Sequence, residues 1–254
     1  MKLLQNKKKL FFLLLFLAIC TPLLLSSYLR IPAPTPELSG QKLANQLGCF
    51  ACHGSGGLEG ASNPGATDDV PAWSGGNAMM YLKSDDDISS YIKHGHLDKH
   101  SHEEGGEHQK GLLEMPGYDD VLSQGQLEDL VAYVKAVSRF YPNMPKEASK
   151  GMRVDSKKGC FGCHGPSGRG GLSNPSSFKG IIPGWNGEDF AETVKNEEEL
   201  KSWILEGYIP RFKESVAASF FIDRAKIKMP SFKNNMTDEE LKDLMAYIKW
   251  VSEN

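Results

Sequence analysis

Hydrophobic positions follow two patterns along this chain: one continuous run near the start, then short stripes at helical spacing that recur in a second copy. Lys2, Lys7, Lys8 and Lys9 precede an uncharged run from Leu10 to Leu29, interrupted by Thr21, Pro22, Ser26, Ser27 and Tyr28 and closed by Arg30. Twenty residues at helical rise extend about 30 Å, the thickness of a bilayer core, so residues 1–30 predict a membrane-spanning helix. The flanking lysines predict a cytoplasmic N-terminus and send the rest of the chain across the membrane. Two other readings deliver the chain to the same side: a cleaved signal peptide, and a lipidated Cys20. The first finds no convincing A-x-A site before Pro32, and in the second Ile19 of Leu17-Ala18-Ile19-Cys20 stands where a small residue is expected. Pro32, Pro34 and Pro36 then predict an extended tether over residues 31–38, reaching about 20 Å.

From residue 39 the stripes predict helices in pairs. Ile88, Tyr91 and Ile92 mark a middle helix over 85–93, matched by Leu200, Trp203 and Ile204 over 197–206. Leu127, Leu130, Val131, Val134 and Val137 mark a last helix over 123–138, matched by Leu241, Leu244, Met245, Ile248 and Val251 over 237–252. Thr237 with Glu240 forms a capping box at the start of that second copy. Shorter first helices are expected over 41–48 and 152–158. Pairing is not limited to helices. Ser62-Asn63-Pro64 and Ser173-Asn174-Pro175 are offset by 111 residues, Trp73 and Trp185 by 112, and Met115-Pro116 and Met229-Pro230 by 114. So slow a drift means small loop insertions between two copies of one module, which sets domains at 39–140 and 141–254. About 100 residues each is an ordinary size for a small domain.

Composition changes this picture in two places. Residues 39–140 carry 15 acidic against 7 basic side chains, whereas residues 141–254 carry 16 against 17. The first module therefore favours a basic docking partner, with solubility alone as the plainer reading. No basic patch supports a nucleic-acid role. Of the five cysteines, four belong to two short motifs and the fifth, Cys20, lies in the apolar leader, so no pair remains for a structural disulfide. Modules this small then need another source of stability.

The two motifs are Cys49-Phe50-Ala51-Cys52-His53 and Cys160-Phe161-Gly162-Cys163-His164. C-x-x-C-H reads as an attachment site for c-type haem, in which two thiols add to the vinyl groups and the adjacent histidine ligates iron. C-x-x-C alone also serves zinc or thiol redox chemistry. Two copies, each with a downstream Met-Pro, argue against that reading. Here the chain resembles the dihaem class I cytochromes c, over nearly everything after residue 38. The resemblance implies a mostly α fold, with two tandem class I cytochrome c domains after the N-terminal transmembrane helix, and two covalently bound haem c groups.

It also implies roles for particular residues. His53 and His164 would be the proximal iron ligands, and Met115 and Met229, which follow them by 62 and 65 residues, the distal ones. A thioether there raises the potential and leaves no open position for substrate. Pro64 and Pro175, eleven residues after the histidines, would offer the carbonyl that accepts the imidazole Nδ1–H. Trp73 and Trp185 would pack on the haem or bond a propionate, or simply fill the core. Tyr133 and Tyr247 are candidates for the aromatic residue where the terminal helices cross. His94, His96, His100, His102 and His108 have no counterpart in the second module. A replacement distal ligand, a divalent-metal site with Glu103, Glu104 and Glu107, and a solvated loop are all open for them. The resulting expectation is an electron carrier on the outer face of a bacterial cytoplasmic membrane, with its haem domains in the periplasm. It would work with an oxidase, a reductase or a soluble cytochrome. The alternative is a dihaem enzyme of peroxidase or thiosulfate-oxidising type, which requires a displaceable distal ligand.

Overall fold

In each half of the chain, the middle and last helices begin where a Ser, Thr or Asn side chain accepts a free backbone N–H of the first turn. A computed structural model describes residue 21 and residues 34–76, 82–97 and 111–254. The chain divides into the units Met1–Ala33 and Pro34–Asn254. The predicted membrane span lies outside the described residues, Thr21 excepted. Among the described residues, no helix is long and apolar enough to cross a membrane.

The first module contains α1 (Pro36–Gln46), α2 (Cys49–His53), α3 (Asp85–His94) and α4 (Gln124–Ser138). The second contains α5 (Lys146–Lys158), α6 (Phe161–His164), α7 (Gly187–Thr193), α8 (Glu197–Glu206), α9 (Pro210–Glu214), α10 (Val216–Arg224) and α11 (Asp238–Glu253). The architecture is thus mostly helical, as expected, and the described residues include one isolated bridge, between Ser173 and Ile181. Helix α1 starts five residues before the expected position. Thr35 caps it by accepting the Leu38 N–H, and Pro36 occupies a first-turn position, where its missing N–H costs nothing. Residues 36–38 are therefore helical, and the expected extended tether does not include them. Capping boxes at Ser84/Asp87, Ser123/Gln126 and Thr237/Glu240 start α3, α4 and α11.

The stripes read from the sequence are the cores. Ile88, Ile92, Leu127, Leu130, Val131, Val134 and Val137 are buried together in the first module. Leu200, Ile204, Leu241, Leu244, Ile248 and Val251 are buried together in the second. First and last helices cross closely in both modules: α1 against α4, and α5 against α11. A β-carbon on Gly40 would stand 2.0 Å from the Asp129 carbonyl oxygen, and one on Gly151 would stand 2.0 Å from that of Asp243. Only glycine permits that approach. Tyr133 and Tyr247 lie at these crossings, 1% and 0% exposed. Their hydroxyls donate to the carbonyls of Gly56 (3.1 Å) and Ser167 (2.9 Å) in the turn after each C-x-x-C-H motif. The helix crossing and the motif are thereby tied together.

The two modules also touch. Thr35 Oγ1 donates to the Arg169 carbonyl at 3.0 Å, and Ser167 Oγ to the Ala136 carbonyl at 2.7 Å. The Arg169 guanidinium lies 3.5 Å from Glu37, both side chains 8% exposed, and over the rings of Tyr141 and Trp250.

Candidate functional site

Each C-x-x-C-H motif sits on one short helical turn, α2 or α6, which brings both cysteines and the histidine to one locality. All four thiols are unpaired and half-buried. Burial pushes the Cys49 thiol up and the Cys160 thiol to about 12, the latter with help from the neighbouring Asp155 charge. Cys49 and Cys160 are therefore held as neutral thiols rather than as activated thiolates. No group of three or more His, Cys, Asp or Glu among the described residues could hold a metal ion by itself.

The histidines are fixed through one ring nitrogen. His53 Nδ1 lies 2.9 Å from the Pro71 carbonyl oxygen, and His164 Nδ1 lies 2.8 Å from that of Pro183. A carbonyl can only accept, so Nδ1 carries the proton and Nε2 keeps its lone pair. Burial lowers both pKa values, against the opposing effect of these hydrogen bonds, which keeps each imidazole neutral near pH 7. Trp73 packs on the ring of His53 with centroids 4.8 Å apart, and Trp185 on that of His164 at 5.1 Å. Both tryptophans also meet the crossing tyrosine edge-on. Neutral, oriented imidazoles with a free Nε2 are the form a metal takes.

The acceptor carbonyls correct one expectation. Pro64 and Pro175 do not accept the imidazole N–H; Pro71 and Pro183, 18 and 19 residues after the histidines, do. The loop between histidine and acceptor is longer here than the spacing rule assumed. The missed signal was the second repeated proline, two residues before each tryptophan. The Pro64 carbonyl instead accepts the Leu112 N–H at 3.0 Å, and the Pro175 carbonyl the Lys226 N–H at 3.2 Å.

Those bonds lead to the methionines. Met115 and Met229 are half-buried and lie outside any helix, on loops anchored at both ends. Downstream, the Tyr118 and Asp119 N–H groups donate to the Ile92 and Lys93 carbonyls at the end of α3. The Phe232 and Lys233 N–H groups do the same to Ile204 and Leu205 at the end of α8. The methionine backbone presses on a glycine at each helix end: a β-carbon on Gly95 or Gly207 would stand 2.2 or 2.4 Å from the Met115 or Met229 oxygen. Both glycines have φ near +77°, where a side chain would also be strained. Met229 joins the same apolar cluster as Cys160 and Phe161.

Of the histidine-rich loop, His94 and His96 are exposed, with ring centroids 6.4 Å apart. His100, His102 and His108, and the three glutamates proposed with them, lie outside the described residues.

The residues present fit a c-type haem. Each module supplies two unpaired thiols, a neutral imidazole with a free Nε2 and a thioether on a separately anchored loop. In the first module, half-buried apolar side chains such as Phe50, Trp73, Tyr91 and Leu122 border the core beside Cys49.

Comparison with known proteins agrees with this chemistry. Residues 38–138 and 148–252 each match the family model described as cytochrome c. The chain is 26% identical over 174 residues to the cbb3-type cytochrome c oxidase subunit FixP of Sinorhizobium medicae, covering 67% of this chain and 54% of that protein. It is 26% identical over 200 residues to the cbb3-type cytochrome c oxidase subunit CcoP of an Azospirillum species, covering 79% and 57%. With FixP of Azorhizobium caulinodans it shares 30% over 173 residues, covering 67% and 53%. The chain spans about half the length of these curated relatives. Among solved structures, a chain of the Kuenenia stuttgartiensis reducing HAO-like protein complex Kustc0457/Kustc0458 aligns over 84% of this chain and 96% of its own. That alignment has 17% identity and a TM-score of 0.26.

Proposed function

Because this chain belongs to the cytochrome c family, with one family domain in each half, we propose that it is a dihaem electron carrier working one electron at a time. The observation that carries this reading is the twofold occurrence, once in each module, of a C-x-x-C-H histidine fixed through Nδ1 and a methionine loop pinned at both ends. Cys49 and Cys52, and Cys160 and Cys163, would hold haem c as thioethers. His53 and His164 would ligate iron through Nε2, and Met115 and Met229 through sulfur. Pro71 and Pro183 would keep the imidazoles oriented and electron-rich. Bound haem supplies one-electron chemistry at iron, and the protein sets potential, orientation and docking. Methionine at both sites leaves no open position for substrate, which favours a carrier over an enzyme.

The relatives' names place them in cbb3-type cytochrome c oxidase. We extend that to this chain as a membrane-anchored cytochrome that passes electrons to or from an oxidase, a reductase or a soluble cytochrome. The apolar run in residues 1–30 would anchor it, with both haem domains in the periplasm. A potentiometric titration of the purified holoprotein tests the reading. It should show two reversible one-electron waves, with no turnover of hydrogen peroxide or thiosulfate. Turnover of either compound at one haem would replace the carrier with the enzyme.

A further inference from the structure

We propose that Asn63 and Asn174 are positioning residues that hold the distal methionine loops in place for ligation. The inference rests on the methionine ligation proposed above. Each asparagine follows the C-x-x-C-H motif by ten residues, and each reaches across its module to a backbone about fifty residues away. Asn63 Nδ2 donates to the Leu113 carbonyl at 3.0 Å, and Asn63 Oδ1 accepts the Leu113 N–H at 2.9 Å. In the second module, Asn174 Nδ2 donates to the Ile227 carbonyl at 2.9 Å and Oδ1 accepts the Ile227 N–H at 2.9 Å. Leu113 and Ile227 each lie two residues before a methionine. An amide side chain paired both ways with one residue imitates a strand pairing, and it fixes the orientation of that residue as well as its distance.

The next residue adds a third bond, because the carbonyls of Pro64 and Pro175 accept from Leu112 and Lys226. A close fit accompanies the first clamp: a β-carbon on Gly111 would stand 2.2 Å from Asn63 Oδ1. Downstream of each methionine, the end of the middle helix holds the chain, so the asparagine supplies the upstream half of a two-point suspension. The loop between the two points is short, which limits how far the sulfur can swing away. A methionine held in this way competes better with any other ligand for iron, since less ordering remains to be done when it binds.

The two clamps differ in strength. Asn174 is buried, 5% exposed, whereas Asn63 is only half-buried. Hydrogen bonds shielded from water are worth more, so the second methionine should depend more on its clamp than the first.

The test uses the full holoprotein with Asn174→Ala and Asn63→Ala made separately. It follows imidazole binding to ferric haem and the weak long-wavelength absorption that marks sulfur on ferric iron. Losing two hydrogen bonds should raise imidazole affinity at haem 2 roughly tenfold or more in Asn174→Ala. It should also weaken that absorption, while haem 1 of the same molecule stays unchanged. Asn63→Ala should do the same at haem 1, to a smaller degree. Met229→Leu and Met115→Leu serve as references. If Met229→Leu abolishes the absorption of its haem but Asn174→Ala moves imidazole affinity by less than about twofold, the clamp is wrong and the ligation stands. Should Met229→Leu leave the spectrum unchanged, the ligation reading fails and the clamp fails with it. An equal disturbance of both haems by one asparagine substitution would mark a general loss of structure and would overturn the positioning role.

Discussion

Asp155 and Ala44 occupy equivalent places in the two modules, and both are 0% exposed. A buried alanine fits a helix crossing without further account, but a buried carboxylate does not. Burial pushes the Asp155 pKa from 3.8 up to about 8, against the opposing pull of the Phe161 N–H, the Arg139 charge and the Cys160 thiol. Between those two values the folded protein holds a proton that the unfolded chain has released. Stability should therefore fall as pH rises across this window, by up to about 1.4 kcal/mol per pH unit. Asp155→Asn should remove that contribution, so its melting temperature should gain on the parent progressively from about pH 5 to pH 8. A constant difference over the range would contradict a protonated Asp155. Nothing in the sequence pattern pointed to this residue. The two C-x-x-C-H motifs were legible as a repeat, and each falls on one short helical turn with its histidine held by a carbonyl. The imidazole acceptors were not, because counting from the histidine selected Pro64 and Pro175, while the loop length selects Pro71 and Pro183.

At the scale of elements, each module closes where a glycine admits the last helix against the first. Gly151→Ala would put a methyl group 2.0 Å from the Asp243 carbonyl and 2.6 Å from the Tyr247 β-carbon. Overpacking of this kind costs about 1–3 kcal/mol, and the shift should be visible in a urea unfolding midpoint. Gly125→Ala is the control, since a β-carbon there meets nothing within 4 Å. Unchanged stability in Gly151→Ala would mean that the crossing is looser than the structure has it. The middle and last helices were readable because apolar stripes and capping residues agreed on both position and phase. Three helices were not. Helices α7, α9 and α10 bury none of their residues and hold only five to nine each, so they carry no stripe for periodicity to find. The early start of α1 was hidden by reading Pro36 as tether, when Thr35 and Pro36 together make a helix start.

For the whole molecule, Arg169 joins the modules. It meets Glu37 of the first and lies over Tyr141 and Trp250, with its own carbonyl bonded to Thr35. Arg169→Ala would leave Glu37 buried without its charge partner, a change that costs about 3–5 kcal/mol. Calorimetry should show a lower transition temperature, and separation into two transitions if the modules also lose their coupling; an unaltered trace would contradict a structural role for the pair. Duplication made the two-module plan legible from sequence, yet this contact joins residues 132 apart in the chain and has no periodic trace. The central claim is a carrier with histidine and methionine on iron in both modules. Optical and electron paramagnetic resonance spectra of the oxidised holoprotein test it most directly. Low-spin iron at both sites, with the long-wavelength sulfur absorption at full strength for two haems, is the expected result. High-spin iron at either site, or low-spin iron without sulfur ligation at the first, would contradict it and open that haem to substrate or to a histidine of the 94–108 loop.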